Sequence, residues 1–439
     1  MKFLPRRALR AAALPAILLL LSCAPRPPVQ PGAVPAERGR GRAPGLPVPP
    51  LRVALLVDVP SLEFGSARGG TLRWSGGERP VDPGETLRFE PGASGGIVLM
   101  EEAGGMWIEG AATFIPHGGE PFLLAGKPYG GTLVAVPSPT GISAVNGIGM
   151  EDYLRGVVPW EIGWLPEEKI EALKAQAVAA RTYALSRLGR EGEPWDLVAD
   201  EGDQVYRGLE RTDPVVDRAI RETAGVVAVF RGKLIRAYYS STCGGRTAPL
   251  EEVWFDREGA PYLRGAGDGP GGGIDPSRSF CRESPHFRWV EHWSGSEAVA
   301  GIIRRLAAEK KLDAGRLGRL RDVRVEKKGR SGRVLSVLFR AEGEDVRVGG
   351  DRVRWVLGRP QGGGILRSTW FDLEVKREGG LVTEIRAEGR GFGHGIGMCQ
   401  WGAMGMAEKG YSYDRILTHY YPGIDLRRAT RSLLSRGPR

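Results

Sequence analysis

From Leu51 onward, apolar and polar positions alternate in short runs, LRVALLVDV, TLRWSG, FLLAG and GTLVAVPS, separated by Gly and Pro. Period-two alternation broken by turn residues predicts a β-rich segment over residues 51–140. The pattern changes at GMEDYLRGVVPWEIGW, and LPEEKIEALKAQAVAARTYALSRLG then carries the clearest helical period in the chain. Pro166 suits its first turn, Glu167 and Glu168 suit the positive end of its dipole, and Gly189 is a natural stop.

Further along, GVVAVFRGKLIRAYYSSTCGG reads as two strands meeting at a Gly-containing turn. A helix in GSEAVAGIIRRLAAEKKL, followed by two strands, suggests a small inserted subdomain over residues 295–370. TWFDLEVKREGGLVTEIRAEGRG gives a hairpin, and QWGAMGMAEKGYSYDRILTHYYPG gives two helices split at Gly410. The fold class is therefore α+β, β-rich with a few helices.

On a helical wheel, Ile170, Leu173, Ala177, Ala180, Ala184 and Leu188 share one arc, which should face a core. Lys174 and Arg181 project into that same arc. Two cations cannot be left unpaired in a dry interior, so either they meet structural carboxylates or that face opens into a polar cleft. Just upstream, Glu161 lies between Trp160 and Trp164 in an otherwise apolar stretch. A carboxyl held against aromatic surface is desolvated, and its pKa rises toward the range of a general acid. The alternative is that Glu161 caps the next helix or pairs with Lys174 or Arg181.

The formal charge of +10 first suggests a nucleic-acid partner. Its location removes that suggestion. Residues 1–50 hold eight Lys/Arg against Glu37 alone, which leaves only +3 for residues 51–439. No basic stripe for a phosphate backbone remains. The N-terminus reads instead as a targeting device: a cationic MKFLPRRALR, a short apolar AAALPAILLLL, then LLSC. That ending resembles a bacterial lipobox, with residues 1–23 as signal peptide, Cys23 as the lipidated residue, and Ala24 compatible with outer-membrane sorting. Residues 24–50, rich in Pro, Ala and Arg, read as an extended tether. The expected location is an exported lipoprotein, held to a membrane by its lipid and facing the periplasm or cell wall.

Several blocks, LRGVVPWEIGWLPEEKIEALKAQAVAARTYAL, DQVYRGL, AYYSSTCGGRTA, VWF, PYLRG and GRGFGHGIGMCQWGAMGMAEKGYSYDRILTHYYPG, are similar in content and order to the stage II sporulation protein D and amidase enhancer (SpoIID/LytB) family. The resemblance spans roughly residues 140–425 and implies a catalytic domain over 141–428, with helices and sheets around a groove for peptidoglycan glycan strands. It implies a lytic transglycosylase that cuts between N-acetylmuramic acid and N-acetylglucosamine in peptide-stripped strands. The family's catalytic glutamate falls on Glu161, and its groove cations fall on Lys174 and Arg181. Gln204, Tyr206, Ser241, Thr242, His394 and Gln400 occupy motif positions that would contact sugar, with His394 alternatively orienting Glu161. Asp152, Asp200 and Asp203 are nearby in sequence as a second carboxylate. The amidase-enhancer branch offers a different function, a non-catalytic glycan binder that activates a cell-wall amidase.

Three cysteines remain in the body. In an oxidising compartment they would give one disulfide, Cys243 to Cys281, and a free Cys399. A zinc site from these thiols with His286 or His394 competes for the same sulfurs. A Cys399–His394 nucleophile pair is a further rival. Gly391, Gly393, Gly395 and Gly397 alternate, which does not match a dinucleotide-binding fingerprint. The reading therefore assigns no metal and no cofactor.

Overall fold

The computed structural model describes residues 49–434 apart from residues 93, 94, 103, 190, 191, 361 and 362. The expected signal peptide, Cys23 and nearly all of the expected tether lie outside the described residues. No described helix is long and apolar enough to cross a membrane. Strand outweighs helix, 35% against 27%, so the chain is a β-rich α+β protein.

Two sheets form from the N-terminal segment. The first runs, in spatial order, through Leu197–Val198, Leu51–Val59, Ile142–Ile148, Thr132–Pro137, Ala112–Pro116, Gly70–Trp74 and Gly77–Val81. The second orders Lys127–Tyr129, Phe122–Leu124, Leu62–Gly65, Thr86–Pro91, Ile97–Glu101 and Gly104–Ile108. Alternation places Leu87 and Phe89 inward while Thr86 and Arg88 face out, as a half-buried strand requires.

The strand Leu51–Val59 pairs antiparallel with Ile142–Ile148 and parallel with Leu197–Val198. An ion pair between exposed Arg52 and buried Asp196 reinforces that edge: Arg52 donates from Nη2 to Asp196 Oδ1 at 2.9 Å and from its backbone N–H to Oδ2 at 2.9 Å. The β-rich segment and the chain beyond residue 141 thus share one sheet. They also share one apolar core that runs from Leu51 to Ala429.

A second apolar core gathers residues from Trp289 to Ala387. It joins the sheet Trp289–Ser294, Leu381–Gly389 and Phe371–Glu378 to the sheet Leu320–Lys328, Val334–Ala341 and Asp345–Gly349, with helix Ser296–Lys310 packed between. This core includes the strands on both sides of the 295–370 stretch.

The main helix spans Ile170–Leu185, preceded by a 3-10 turn at Glu167–Lys169. Thirteen of its sixteen residues are buried. The single core-facing arc expected from the wheel is corrected accordingly. Helices Pro214–Glu222, Gln400–Ala407 and Tyr413–Tyr420 and strand Val226–Phe230 pack around it, and a helix enclosed on all sides is apolar all round. Its alanines keep those neighbours close.

Candidate active site

Glu161 sits in a single helical turn, Val158–Ile162, with Pro159 in its first positions, that stops at Gly163, where φ is +92°. A left-handed residue ends the turn at little cost only if it is glycine. The glutamate keeps part of its surface open. Its carboxyl is nevertheless closely packed, and desolvation pushes it up to about 7. Hydrogen bonds from the Val205 N–H, at 2.7 Å to Oε1, and from Tyr239 and Gln400 oppose that rise, while the charge of Glu201 adds to it.

Gln204 is wholly buried and sets the orientation of Tyr239. Its Nε2 donates to the Tyr239 hydroxyl at 2.7 Å and its Oε1 accepts from the Tyr153 hydroxyl at 3.1 Å. An amide NH2 can only donate, so the Tyr239 hydroxyl accepts from Gln204 and turns its own proton to Glu161. Gln204, expected to touch sugar, acts here through Tyr239.

His394 also acts on Tyr239, from the other end. Its Nδ1 accepts the Ile396 N–H at 3.0 Å, which leaves Nε2 as the protonated nitrogen, hydrogen-bonded to the Tyr239 backbone carbonyl. Desolvation lowers its pKa to about 4, so the ring is neutral at neutral pH. It packs against Trp254 at 5.1 Å between ring centroids. His394 therefore holds the strand that carries Tyr239, its ring nitrogens bonding the Ile396 N–H and the Tyr239 carbonyl rather than Glu161.

A two-strand parallel pair brings these parts together: Tyr239 opposes Met398 and Ser240 opposes Cys399. Gln400 follows directly and opens the helix Gln400–Ala407. The glycine alternation serves this approach. A Cβ on Gly397 would collide with the Tyr238 carbonyl, and one on Gly395 with the Arg333 guanidinium.

The two helix cations are paired with carboxylates, which corrects the expectation that they line a groove. Arg181 is fully buried and binds Glu151 through Nε at 3.0 Å and Nη2 at 2.5 Å, with Nη1 donating to the Val226 carbonyl at 3.1 Å. Lys174 bridges Glu171 and Glu222, each at 2.7 Å. Tyr206 lies at 2% exposure among Tyr129 and Tyr153 and donates to Asn146 Oδ1 at 2.8 Å, so it tethers the site loop to the first sheet and presents no sugar-stacking face. Thr242 is buried against Ser284 at 2.7 Å, while Ser241 beside it stays partly open. Gln400 does reach the glutamate.

Asp203 is committed to structure: it accepts from the Tyr183 hydroxyl at 2.8 Å and the Val198 N–H at 3.0 Å and pairs with Arg187 at 3.3 Å. Cys399 is fully buried, so it is no exposed nucleophile. Cys243 and Cys281 are free thiols with sulfurs 3.7 Å apart, whereas a disulfide needs about 2.05 Å. The expected bridge is not formed. His286 stacks on Phe392 and meets Arg367, apart from the thiols.

Sequence reasoning missed Tyr239, the Val205 N–H and Glu201. Tyr239 follows Tyr238 at the end of an apolar run and reads as packing. The one available signal was its place beside Ser240 and Ser241 in a polar run that is out of character for a core strand.

The stage II sporulation protein (SpoIID) family profile matches residues 138–230, and a domain of unknown function, DUF8618, matches residues 248–397. Glu161, the main helix and Gln204 fall in the first match and His394 in the second, while Tyr239 and Gln400 fall in neither. An uncharacterised protein of Brachyspira hyodysenteriae is 32% identical over 308 residues, 70% of this chain and 74% of that protein. The amidase enhancer of Bacillus subtilis is 30% identical over 303 residues, and the match covers 40% of its length. Stage II sporulation protein D of Bacillus amyloliquefaciens is 29% identical over 303 residues, 65% of this chain and 76% of that protein. The chain belongs to the stage II sporulation protein D and amidase enhancer (SpoIID/LytB) family.

Proposed function

We propose that this protein is a lytic transglycosylase that cleaves the N-acetylmuramic acid–N-acetylglucosamine bond of peptide-stripped peptidoglycan. The observation that carries this reading is the Glu161 carboxyl, closely packed on a partly open residue, held near pKa 7 by desolvation and met by three hydrogen-bond donors. Near neutral pH such a group is present in both forms, as a general acid that later becomes a general base requires.

In the first step protonated Glu161 gives its proton to the glycosidic oxygen, and the C1–O bond breaks with N-acetylglucosamine leaving. In the second, the C6 hydroxyl of the muramic sugar attacks C1 and its proton passes to the Glu161 carboxylate. A 1,6-anhydro ring closes and no water is consumed. Val205 N–H, the Tyr239 hydroxyl and Gln400 stabilise the carboxylate formed between the two steps. A hydrolase would need a second carboxylate to activate water. Asp203 is held by structural partners, which favours the one-carboxyl route. Trp160 and Trp164, edge-on to each other at 5.0 Å, offer partly open aromatic surface beside the glutamate for sugar C–H faces.

The amidase enhancer relative supports a second reading, in which the same surface holds a glycan strand for a partner amidase without cutting it. In either case the chain acts as an exported lipoprotein anchored through Cys23. Mass analysis of products from peptide-free glycan separates the two: anhydro-muramic ends that disappear in Glu161→Gln support cleavage, and saturable binding without products supports the activator.

A further inference from the structure

We infer that Cys243, Asp268, Cys281 and Cys399 form a closed, four-ligand structural site for a zinc ion. The inference does not depend on the glycan reading. These residues come from four separate segments of the chain, yet one ligand atom from each lies within 4.8 Å of all the others, and all four residues are buried. Two sulfurs each about 2.3 Å from a tetrahedral zinc stand about 3.8 Å apart. The Cys243 and Cys281 sulfurs are 3.7 Å apart. That separation is far from a disulfide bond and matches the edge of a metal tetrahedron.

The surroundings suit deprotonated ligands. Cys399 Sγ accepts the backbone N–H of Cys243 at 3.1 Å and of Gly402 at 3.3 Å. Asp268 is fixed on both oxygens: Oδ1 accepts from the Tyr420 hydroxyl at 2.6 Å, and Oδ2 from Ser279 Oγ at 2.5 Å and the Cys281 N–H at 2.8 Å. Such hydrogen bonds orient metal ligands and hold their charge. The fully buried Arg333 guanidinium donates to the Cys243 carbonyl at 3.2 Å and sets a positive charge beside the cluster. Without a divalent cation, three thiols and a carboxyl would share a dry pocket with the Arg333 charge beside them but no cation bound among them. With one, each thiol releases its proton on binding and the four donors fill the coordination sphere. No open position remains for water, so the site is structural.

Its consequence reaches the glutamate. Cys399 caps the helix whose first residue, Gln400, touches Glu161, and Cys243 follows the strand that carries Tyr239. One ion would thereby pin both segments that position donors on the carboxyl.

The test uses the full chain, purified without reductant in the presence of Zn2+ and then freed of loose metal. Elemental analysis should give one zinc per chain, and X-ray absorption should show three sulfurs at about 2.3 Å and one oxygen at about 2.0 Å. After unfolding with chelator, Cys243, Cys281 and Cys399 should all be open to alkylation. Asp268→Asn should weaken zinc retention tenfold or more, on the order of other metal-site losses. Cys281→Ser should lose the ion, and should it fail to fold, Co2+ in the wild-type chain should still give a thiolate-to-metal absorption band. A Cys243–Cys281 disulfide in metal-free, folded protein overturns the inference. So does a folded chain that takes up no zinc from excess.

Discussion

The Gln204 amide donates to the Tyr239 hydroxyl across 2.7 Å, and that hydroxyl in turn meets the Glu161 carboxyl. A buried glutamine thereby decides which way a tyrosine proton points. The tyrosine proton decides how well the carboxylate is tolerated between the two chemical steps.

Removing that proton should slow the reaction and move its pH limit. The Tyr239 hydrogen bond lowers the Glu161 pKa, so Tyr239→Phe should raise it, and the alkaline fall in kcat should move to higher pH. A hydrogen bond to a charged group is worth about 1.5–3 kcal/mol, which corresponds to a loss of roughly tenfold or more in kcat. Steady-state rates on peptide-free glycan across pH, with circular dichroism to confirm the fold, check both parts. Gln204→Leu should act in the same direction through the freed tyrosine.

Glu161 should destabilise the fold at alkaline pH. Its folded pKa of about 7 lies above the ordinary 4.5, so the native state binds more protons than the unfolded state between these values. Stability should therefore fall as pH rises from about 4.5 to about 7 and then level off. Glu161→Gln removes the charge, and should be more stable than wild type by about 3 kcal/mol above pH 7.5, with little difference near pH 4.5. Denaturant midpoints at the two pH values measure this.

Arg181 and Lys174 should differ in stability rather than in substrate affinity. Arg181 is wholly buried with Glu151, so Arg181→Ala should cost about 3 kcal/mol or more in denaturant unfolding. Lys174 pairs with the half-exposed Glu222, and Lys174→Ala should cost about 1 kcal/mol or less. Binding of glycan to whatever folded protein remains should be unchanged in both.

Glu201 should tune the glutamate without being required. Its charge raises the Glu161 pKa, so Glu201→Gln should move the alkaline limb to lower pH by a fraction of a unit, less so at high salt. Anhydro ends should persist. Their loss in this exposed-residue variant would mean that a second carboxylate takes part.

Much of this site was legible because its signals are local. A carboxyl between Trp160 and Trp164 announces desolvation from its immediate sequence neighbours, whereas the donors that meet it, Val205, Tyr239 and Gln400, lie far along the chain. The helix cations show the opposite case. A wheel displays one element's faces, and it cannot show Glu151, thirty residues upstream, closing on Arg181. Tyr239 and Gln400 were hard to assign for the same reason, since only the parallel pairing of Tyr239 with Met398 brings them to one carboxyl. The sharing of a sheet by Leu51–Val59 and Leu197–Val198 was likewise invisible, because a two-residue parallel strand carries no period.

The central claim is that Glu161 alone cuts the strand and that the C6 hydroxyl, not water, closes the product. Mass spectrometry of peptide-free glycan digested by the purified chain tests it most directly. Wild type should release strands ending in 1,6-anhydro-muramic acid, and Glu161→Gln should release none while still folding. Reducing ends, or products that survive Glu161→Gln, would contradict it.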